Sequence, residues 1–302
     1  MPTIAKSLLG DAYYSDHHWE LLTDLVDLDN RMAGQSGEHE AAELVKEAFE
    51  DAGLREAEIN EFEIPGWWRG SSSLAVRADR EHTFDADYQT IALPGTPAGE
   101  VAAELVDVGY GRPADFADAD LEGRIVVASS ATPDDYGRWI HRAEKYGAAA
   151  EGGAAGFVFR NHVEGALPPT GGIGEPDGPG PIPAVGVSKE VGQRLVRYCA
   201  SGSVEASLTV DCRNEPSTSP NVEAVVGPDT DEEVLVTGHL DAHDIAEGAN
   251  DNGVGTVLTA EVGRLLAQME DQLETKVRCL VFGSEEIGLY GSARDSPPRA
   301  LC

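Results

Sequence analysis

The segment from residue 234 to residue 286 constrains the fold most. Residues 234–237 form a short apolar run, residues 255–268 place apolar side chains at helical spacing, and residues 277–282 form a second apolar run. A strand, a helix and a strand in this order predict two parallel strands joined by a right-handed crossover. The last third of the chain therefore predicts an α/β class of fold.

Side chains that can bind metal stand where these predicted elements begin or end. His239 and Asp241 follow the first strand. Asp251 stands at the start of the helix, and Glu285 and Glu286 follow the second strand. Because ligands of such sheets gather at the carboxyl ends of the strands, these groups are expected to converge. Imidazole and carboxylate ligands without a thiolate suit zinc, with manganese or cobalt as substitutes.

Each of these residues also has an ordinary structural explanation. His239 could be a buried imidazole with a hydrogen-bond partner, Asp251 a helix cap, and the glutamate pair a solvated turn. The pair stands near Phe282 and Ile287, whose apolar side chains predict partial burial, and buried carboxylates need partners. The combined set therefore favours a metal site over three unrelated explanations.

The first hundred residues predict two helices and a strand. Apolar spacing indicates a helix over residues 16–28. Ser36 is expected to cap a second helix that stops at Gly53, and residues 57–64 predict an edge-like strand with imperfect alternation. Together with the last third they predict an α/β fold with a mixed, mainly parallel sheet flanked by helices.

From about residue 97 the chain predicts a smaller module inserted into that domain. Short strand-like runs alternate there with turns rich in Gly, Pro and Asp, and a helix is expected over residues 137–149. Residues 164–183 predict a loop, and residues 214–220 a turn-rich return linker. The predicted strands of this β-rich module are 103–108, 124–128, 156–159 and 184–187.

The predicted organisation is therefore discontinuous. The larger domain begins at residues 1–96, the inserted domain covers residues 97–213, and the larger domain continues over residues 214–302. No internal repeat accompanies these parts.

The charge of the chain is extreme, with 22 basic against 54 acidic residues and a formal net charge of -32. The acidic residues are spread through periodic apolar segments, which is typical of a folded protein with an acidic, hydrated surface rather than of a disordered tail. Such a composition indicates a halophilic protein from a high-salt cytoplasm, where counter-ions screen the repulsion. Nucleic-acid binding is not expected, because no basic stripe could meet phosphates.

Cysteine usage and hydropathy indicate a cytoplasmic protein. The four cysteines are scattered without CxxC spacing, so neither a disulfide framework nor a thiolate zinc site is expected. Cys279 lies in an apolar run and is predicted to be a small core residue. The N-terminus lacks the apolar stretch of a signal peptide. No run of 18 apolar residues exists, so no membrane partner is expected.

Several stretches together resemble a known family. The metal-binding residues lie in GHLDAHDIAEGANDNGVG and FGSEEIGLYGS, and an earlier helix reads NRMAGQSGEHEAAELVKEAF. These resemble the M28 zinc exopeptidases, the di-zinc aminopeptidases. The inserted module resembles a protease-associated (PA) domain in GRPADF, LEGRIVV, EKYGAAA and IPAVGVS. The resemblance implies the zinc-exopeptidase type of sheet, two Zn²⁺ ions and peptide substrates.

The resemblance also assigns roles to the five site residues. His239 and Glu286 would each bind one zinc ion, and Asp251 would bridge the two. Asp241 would orient His239 through its other ring nitrogen, and Glu285 would act as the general base on a water.

The same resemblance implies a cis peptide bond between Asp251 and Asn252. It gives no role to His243 or Asp244.

The family pattern requires two further ligands, an Asp on a later strand and a His near the end of the domain. Only ten residues, ARDSPPRALC, follow Ser292, and Pro297 and Pro298 interrupt any helix there. This tail is typical of a truncated or frameshifted end. We therefore expect an incomplete zinc-exopeptidase fold, exposed apolar sheet edges and impaired zinc binding.

Three functions fit these features. The first is an aminopeptidase that hydrolyses N-terminal peptide bonds with zinc. The second is a non-catalytic remnant or binding protein that uses the PA domain as its interaction surface. The third, cyclisation of glutaminyl N-termini on a related fold, normally uses one zinc ion, whereas Asp251 suits bridging two. The oligomeric state and side-chain preference are not indicated.

Overall fold

The structure is a computed structural model that describes residues 4–78 and 80–295. Its helices are α1 (Lys6–Tyr14), α2 (His17–Val26), α3 (Ser36–Asp51), α4 (Pro113–Ala117), α5 (Arg142–Glu151), α6 (Lys189–Ser201), α7 (Val254–Ala267) and α8 (Tyr290–Asp295). Its strands are β1 (Arg55–Arg77), β2 (Glu81–Phe84), β3 (Thr90–Ala92), β4 (Gly99–Asp107), β5 (Ile125–Ser129), β6 (Gly156–Arg160), β7 (Ala184–Val187), β8 (Glu205–Val226), β9 (Glu233–His239) and β10 (Lys276–Phe282). In the described part of the chain no helix is long and apolar enough to cross a membrane.

The chain divides into two compact units. The described residues up to Gly66 and those from Pro216 onward form the first unit, and Trp67–Glu215 forms the second. The long strands β1 and β8 each contribute residues to both units.

The first unit contains the predicted strand–helix–strand element. β9 pairs parallel to β10, α7 connects them, and the end of β8 pairs antiparallel to β10. The apolar core of this unit, in which Cys279 is fully buried as predicted, includes Leu25, Val45, Phe49, Val222, Leu240, Val257 and Val281. Among the described residues β9 pairs only with β10, and Val234 and Leu235 are exposed. β9 is therefore an edge strand of this unit.

Helix α3 begins differently from the prediction. Ser36 is the first helical residue, and Gln35 takes the cap position without a side-chain cap bond. The side chain of Glu38 reaches back instead and accepts a hydrogen bond from the Gly34 amide at 2.7 Å. The predicted Ser36 cap was wrong because a residue further along the helix satisfies the preceding backbone. The predicted stop is confirmed, since Gly53 follows the helix end with a left-handed φ of +78°.

The second unit is built on strands β4 to β7, which pair parallel in sequence order. β3 pairs antiparallel to β7, β4 pairs antiparallel to residues 205–210 of β8, and the end of β1 pairs antiparallel to β2. The apolar core of this unit includes Leu93, Val126, Ala128, Tyr146, Phe157 and Ala184.

Two predictions for this region were wrong. Helix α5 begins at Arg142 rather than at residue 137, because His141 accepts a bond from the Ala143 amide while Glu144 accepts one from the His141 amide. Residues 214–220, predicted as a linker, lie inside β8. The extended conformation that Pro imposes on its neighbours fits a strand as well as a turn.

The fold is mixed α/β, as predicted. Parallel pairing holds for β4–β7 and for β9–β10. Helices α4, α5 and α7 lie in three of the connections between these parallel strands, whereas a long loop connects β6 to β7. The remaining registered pairs are antiparallel, so parallel pairing does not dominate. Pro297, Pro298 and Cys302 lie outside the described residues.

Candidate metal centre

The ends of β9 and β10 meet at one edge of the first unit's sheet. His239 is the last residue of β9, and it stands opposite Phe282, the last residue of β10. The Leu240 amide donates to the Phe282 carbonyl at 2.7 Å, which keeps the two chains together as they leave the sheet. The predicted convergence is confirmed, because this pairing brings the segments after both strands side by side.

Three predicted ligands lie together at this edge. The Nε2 atom of His239 is 3.1 Å from Oδ1 of Asp251, and one ligand atom each of His239, Asp251 and Glu286 lies within 4.8 Å of the other two. The side chain of Asp251 is 75% exposed, whereas those of His239 and Glu286 are largely buried. One imidazole and two carboxylates this close together are a donor set that fits zinc.

Asp241 connects the two sides of the site. It is fully buried and accepts hydrogen bonds from the amides of Glu285 and Glu286, at 2.9 and 3.0 Å. Its Oδ1 atom also lies 3.4 Å from Nδ1 of His239, which is 3.1 Å from the Asp241 carbonyl oxygen. A single carboxylate therefore contacts the imidazole and fixes the backbone of the glutamate pair.

The electrostatics of the site depend on its carboxylates. Burial alone would lower the pKa of His239, but the hydrogen bond and charge of Asp241, with the charge of Glu285 and the contact with Asp251, raise it to about 9. Burial raises the pKa of Glu285, as do the charges of Glu286, Asp241 and Asp251, while His239 opposes them. The carboxylate of Glu285 lies 3.9 Å from Nε2 of His239.

Glu38 forms a buried support that the sequence analysis missed. This α3 residue accepts hydrogen bonds from the amides of Gly34 and Ser284 and from the Ser219 hydroxyl. Burial and the charge of Asp241 raise the pKa of Glu38 to about 8, against the three hydrogen bonds. Its position in the sequence could have indicated this burial, because Glu38 lies on the same face of α3 as the buried residues 41, 42, 45 and 49.

Arg31 supports the loop that follows β9, and it was also missed. Its guanidinium donates to the carbonyl oxygens of Leu240, Leu25 and Gly248. Burial lowers the pKa of Arg31, and the charge of Asp241 opposes this shift. The only sequence signal is an arginine before an apolar helix, which does not identify carbonyl partners more than 200 residues away.

The segment that carries Asp251 is a kinked turn, Ala249–Gly253, which precedes α7 and in which Asp251 and Asn252 have non-helical φ/ψ angles. The Asp251–Asn252 peptide bond is cis, as the resemblance implied. Gly255 packs so closely that an added Cβ would lie 1.8 Å from Oδ1 of Asn252. Thr256 on the first turn of α7 donates to the His239 carbonyl at 2.7 Å, which ties this turn to β9.

Comparison with known proteins agrees with this geometry. Residues 221–297 match the model of Peptidase family M28, and residues 99–195 match the PA domain. The chain is 29% identical to aminopeptidase YwaD of Bacillus subtilis over 93% of this chain and 57% of that protein. It is 26% identical to carboxypeptidase Q of Bos taurus over 96% of this chain and 64% of that protein.

A solved structure shows the same similarity in three dimensions. The zinc aminopeptidase BSAP of Bacillus subtilis superposes with a TM-score of 0.70 at 27% identity, over 93% of this chain and 64% of that chain. The chain thus spans less than two thirds of these relatives. With the site at the ends of β9 and β10, these similarities assign residues 221–297 to peptidase family M28 and residues 99–195 to a PA domain.

Proposed function

We propose that this protein is a zinc-dependent exopeptidase of the aminopeptidase type, which removes residues from the N-termini of peptides. The observation that carries the proposal is the convergence of His239, Asp251 and Glu286, with Glu285 beside them. Two of the similar proteins reported above are aminopeptidases, and the solved one is described as a zinc enzyme.

In this proposal His239, Asp251 and Glu286 are the residues that would hold zinc. The exposed Asp251 side chain leaves its oxygens accessible to a metal ion. When bound, the zinc ions would polarise the scissile carbonyl and lower the pKa of water at the site. Asp241 keeps the arrangement assembled, because it contacts His239 and holds the amides of both glutamates.

Glu285 is proposed as the general base. Its carboxylate accepts a proton from the attacking water and delivers that proton to the amine of the leaving group. Its partial exposure gives access to a substrate, and its raised pKa brings it closer to the working range of a base that must also act as an acid. The buried Asp241 cannot serve in this way, since both of its oxygens accept backbone bonds.

A Glu285→Gln variant tests the proposal. Because proton transfer contributes about 10²–10⁴-fold to such reactions, we expect a loss of this size with a chromogenic aminoacyl substrate at high salt with added zinc. The bound zinc should stay near the wild-type amount. Glu274→Gln, an exposed glutamate of the same unit, serves as the matched control and should leave turnover unchanged. Equal turnover in wild type and Glu285→Gln would exclude Glu285 as the base.

The direction of attack is tested with blocked peptides. An aminopeptidase cleaves a peptide with a free N-terminus and a blocked C-terminus, and it leaves the reverse combination intact. Cleavage only of the N-terminally blocked peptide would favour a carboxypeptidase.

A further inference from the structure

His243 contacts a residue of the metal centre but has no part in the proposed reaction. Its Nε2 atom lies 3.0 Å from Oε2 of Glu286, which is hydrogen-bond distance. The two side chains are only 15% and 13% exposed. The contact is therefore largely withdrawn from water, where a hydrogen bond to a carboxylate is stronger than at the surface.

The backbone fixes both partners of this contact. Glu286 is held at its amide by Asp241. His243 follows Asp241 by two residues, and its carbonyl accepts a bond from the Ala246 amide, which closes a turn in the loop after β9. His243 therefore lies in the same loop as Asp241, and Asp241 holds the backbone of Glu286.

The other ring nitrogen shows which way the hydrogen bond points. Nδ1 of His243 is buried and has no hydrogen-bond partner among residues 4–78 and 80–295. A neutral imidazole carries one proton, and the carboxylate at Nε2 is the acceptor that stabilises it there. His243 therefore donates through Nε2, and Glu286 accepts.

We propose that His243 is a positioning residue that orients the carboxylate of Glu286 for metal binding. The inference rests on the proposed function, in which Glu286 binds zinc. A hydrogen bond to one carboxylate oxygen limits rotation of the group and keeps the remaining lone pairs directed at the metal position. Partners of this kind typically change metal affinity by about 10–100-fold.

Two substitutions separate positioning from direct coordination. His243→Leu removes the donor, whereas His243→Gln keeps an N–H donor near the place of Nε2 but supplies a poor zinc ligand. We expect His243→Leu to raise the zinc dissociation constant by about 10–100-fold and His243→Gln to restore most of the loss. His17→Leu, at the exposed start of α2, should bind zinc like the wild type.

The measurements are chelator competition for zinc and the absorption spectrum of the Co²⁺-substituted protein. The Co²⁺ spectrum of His243→Gln should match that of the wild type, because the ligand set is unchanged. A spectrum altered in His243→Gln, with affinity as low as in His243→Leu, would identify His243 as a ligand and overturn the positioning role. Circular dichroism of each variant checks that the fold is kept.

A further measurement needs no metal. Long-range ¹H–¹⁵N spectra of the metal-free protein should show the Nε2–H tautomer of His243, and an Nδ1–H tautomer would overturn the inference. Wild-type affinity for zinc in His243→Leu would overturn it as well, while leaving the proposed function intact. A wild-type protein that binds no zinc would overturn both.

Discussion

Replacing Asp241 by Asn tests whether this buried carboxylate assembles the centre. Asp241 accepts two charge-assisted hydrogen bonds, from the amides of Glu285 and Glu286 at 2.9 and 3.0 Å. Asn offers one acceptor oxygen, so its NH₂ group must face the second amide N–H. One bond of about 1.5–3 kcal/mol is lost and the other falls to about 0.5–1.5 kcal/mol.

Part of this loss is offset. The charge of Asp241 raises the pKa of Glu38, so neutralising Asp241 lowers the cost of ionising Glu38. Removing a buried charge also removes a desolvation penalty. We therefore expect the first unit to lose about 2–4 kcal/mol of unfolding free energy, below the sum of the broken bonds. Native-state hydrogen exchange on the amides of β10 measures this free energy for the unit itself.

A second readout of the same variant is the pKa of His239. Asp241 contributes both a hydrogen bond and a charge that raise it, so the pKa should fall below about 9 in Asp241→Asn. Nuclear magnetic resonance titration of the metal-free protein follows the ring directly. The exposed Asp231→Asn is the matched control and should change neither quantity. An unfolding free energy within about 0.5 kcal/mol of wild type, the usual range for surface substitutions, would refute the reasoning.

Other perturbations have equally definite outcomes. The pKa of Glu38 is raised from 4.5 to about 8, so its contribution to stability is complete below pH 4.5 and is lost as the pH rises through 8. Glu38→Gln should therefore make the unfolding free energy in urea depend less on pH. Parallel plots of unfolding free energy against pH for wild type and variant would contradict this. Gly255→Ala should destabilise by about 1–3 kcal/mol because of the contact with Asn252, whereas Gly10→Ala, in an open position of α1, should stabilise by about 0.4–1 kcal/mol; the reverse order in thermal unfolding would show that the turn adapts. With a net charge of -32, the melting temperature should rise between about 0.1 M and about 1 M salt, and a constant value would exclude repulsion as a destabilising factor.

The spacing of apolar residues predicted the secondary structure of the last third of the chain. β9, α7 and β10 were found within one or two residues. Burial in the core explains the apolar residues of β10 and of one face of α7, whereas Val234 and Leu235 of the edge strand β9 are exposed. His239, Asp251 and Glu286 could be placed together because strand ends of a parallel pair share one edge. The family resemblance supplied the roles, which periodicity alone could not distinguish.

The sequence did not predict hydrogen bonds between residues that are far apart in the chain. Glu38 reads as one more acid on an amphipathic helix, yet it accepts a bond from Ser284, 246 residues away. Arg31 likewise donates to carbonyls beyond residue 239. The start of α3 was misplaced for the same reason, since Glu38 rather than Ser36 satisfies the preceding amide. Residues such as Glu38 and Arg31, which support the metal centre, are thus identified from their contacts in the structure and not from their spacing in the sequence.

These buried contacts explain how the centre can stay assembled in different states of charge. Its carboxylates raise the pKa of His239 to about 9, so at neutral pH the metal-free imidazole is protonated. A histidine that binds metal must be neutral, so a zinc ion and this proton compete for the ring. The hydrogen bonds from backbone amides to Asp241 and Glu38 involve neither the proton nor the ion. These bonds hold the ends of β9 and β10 together. A bound divalent cation would reduce the repulsion between the carboxylates that surround His239.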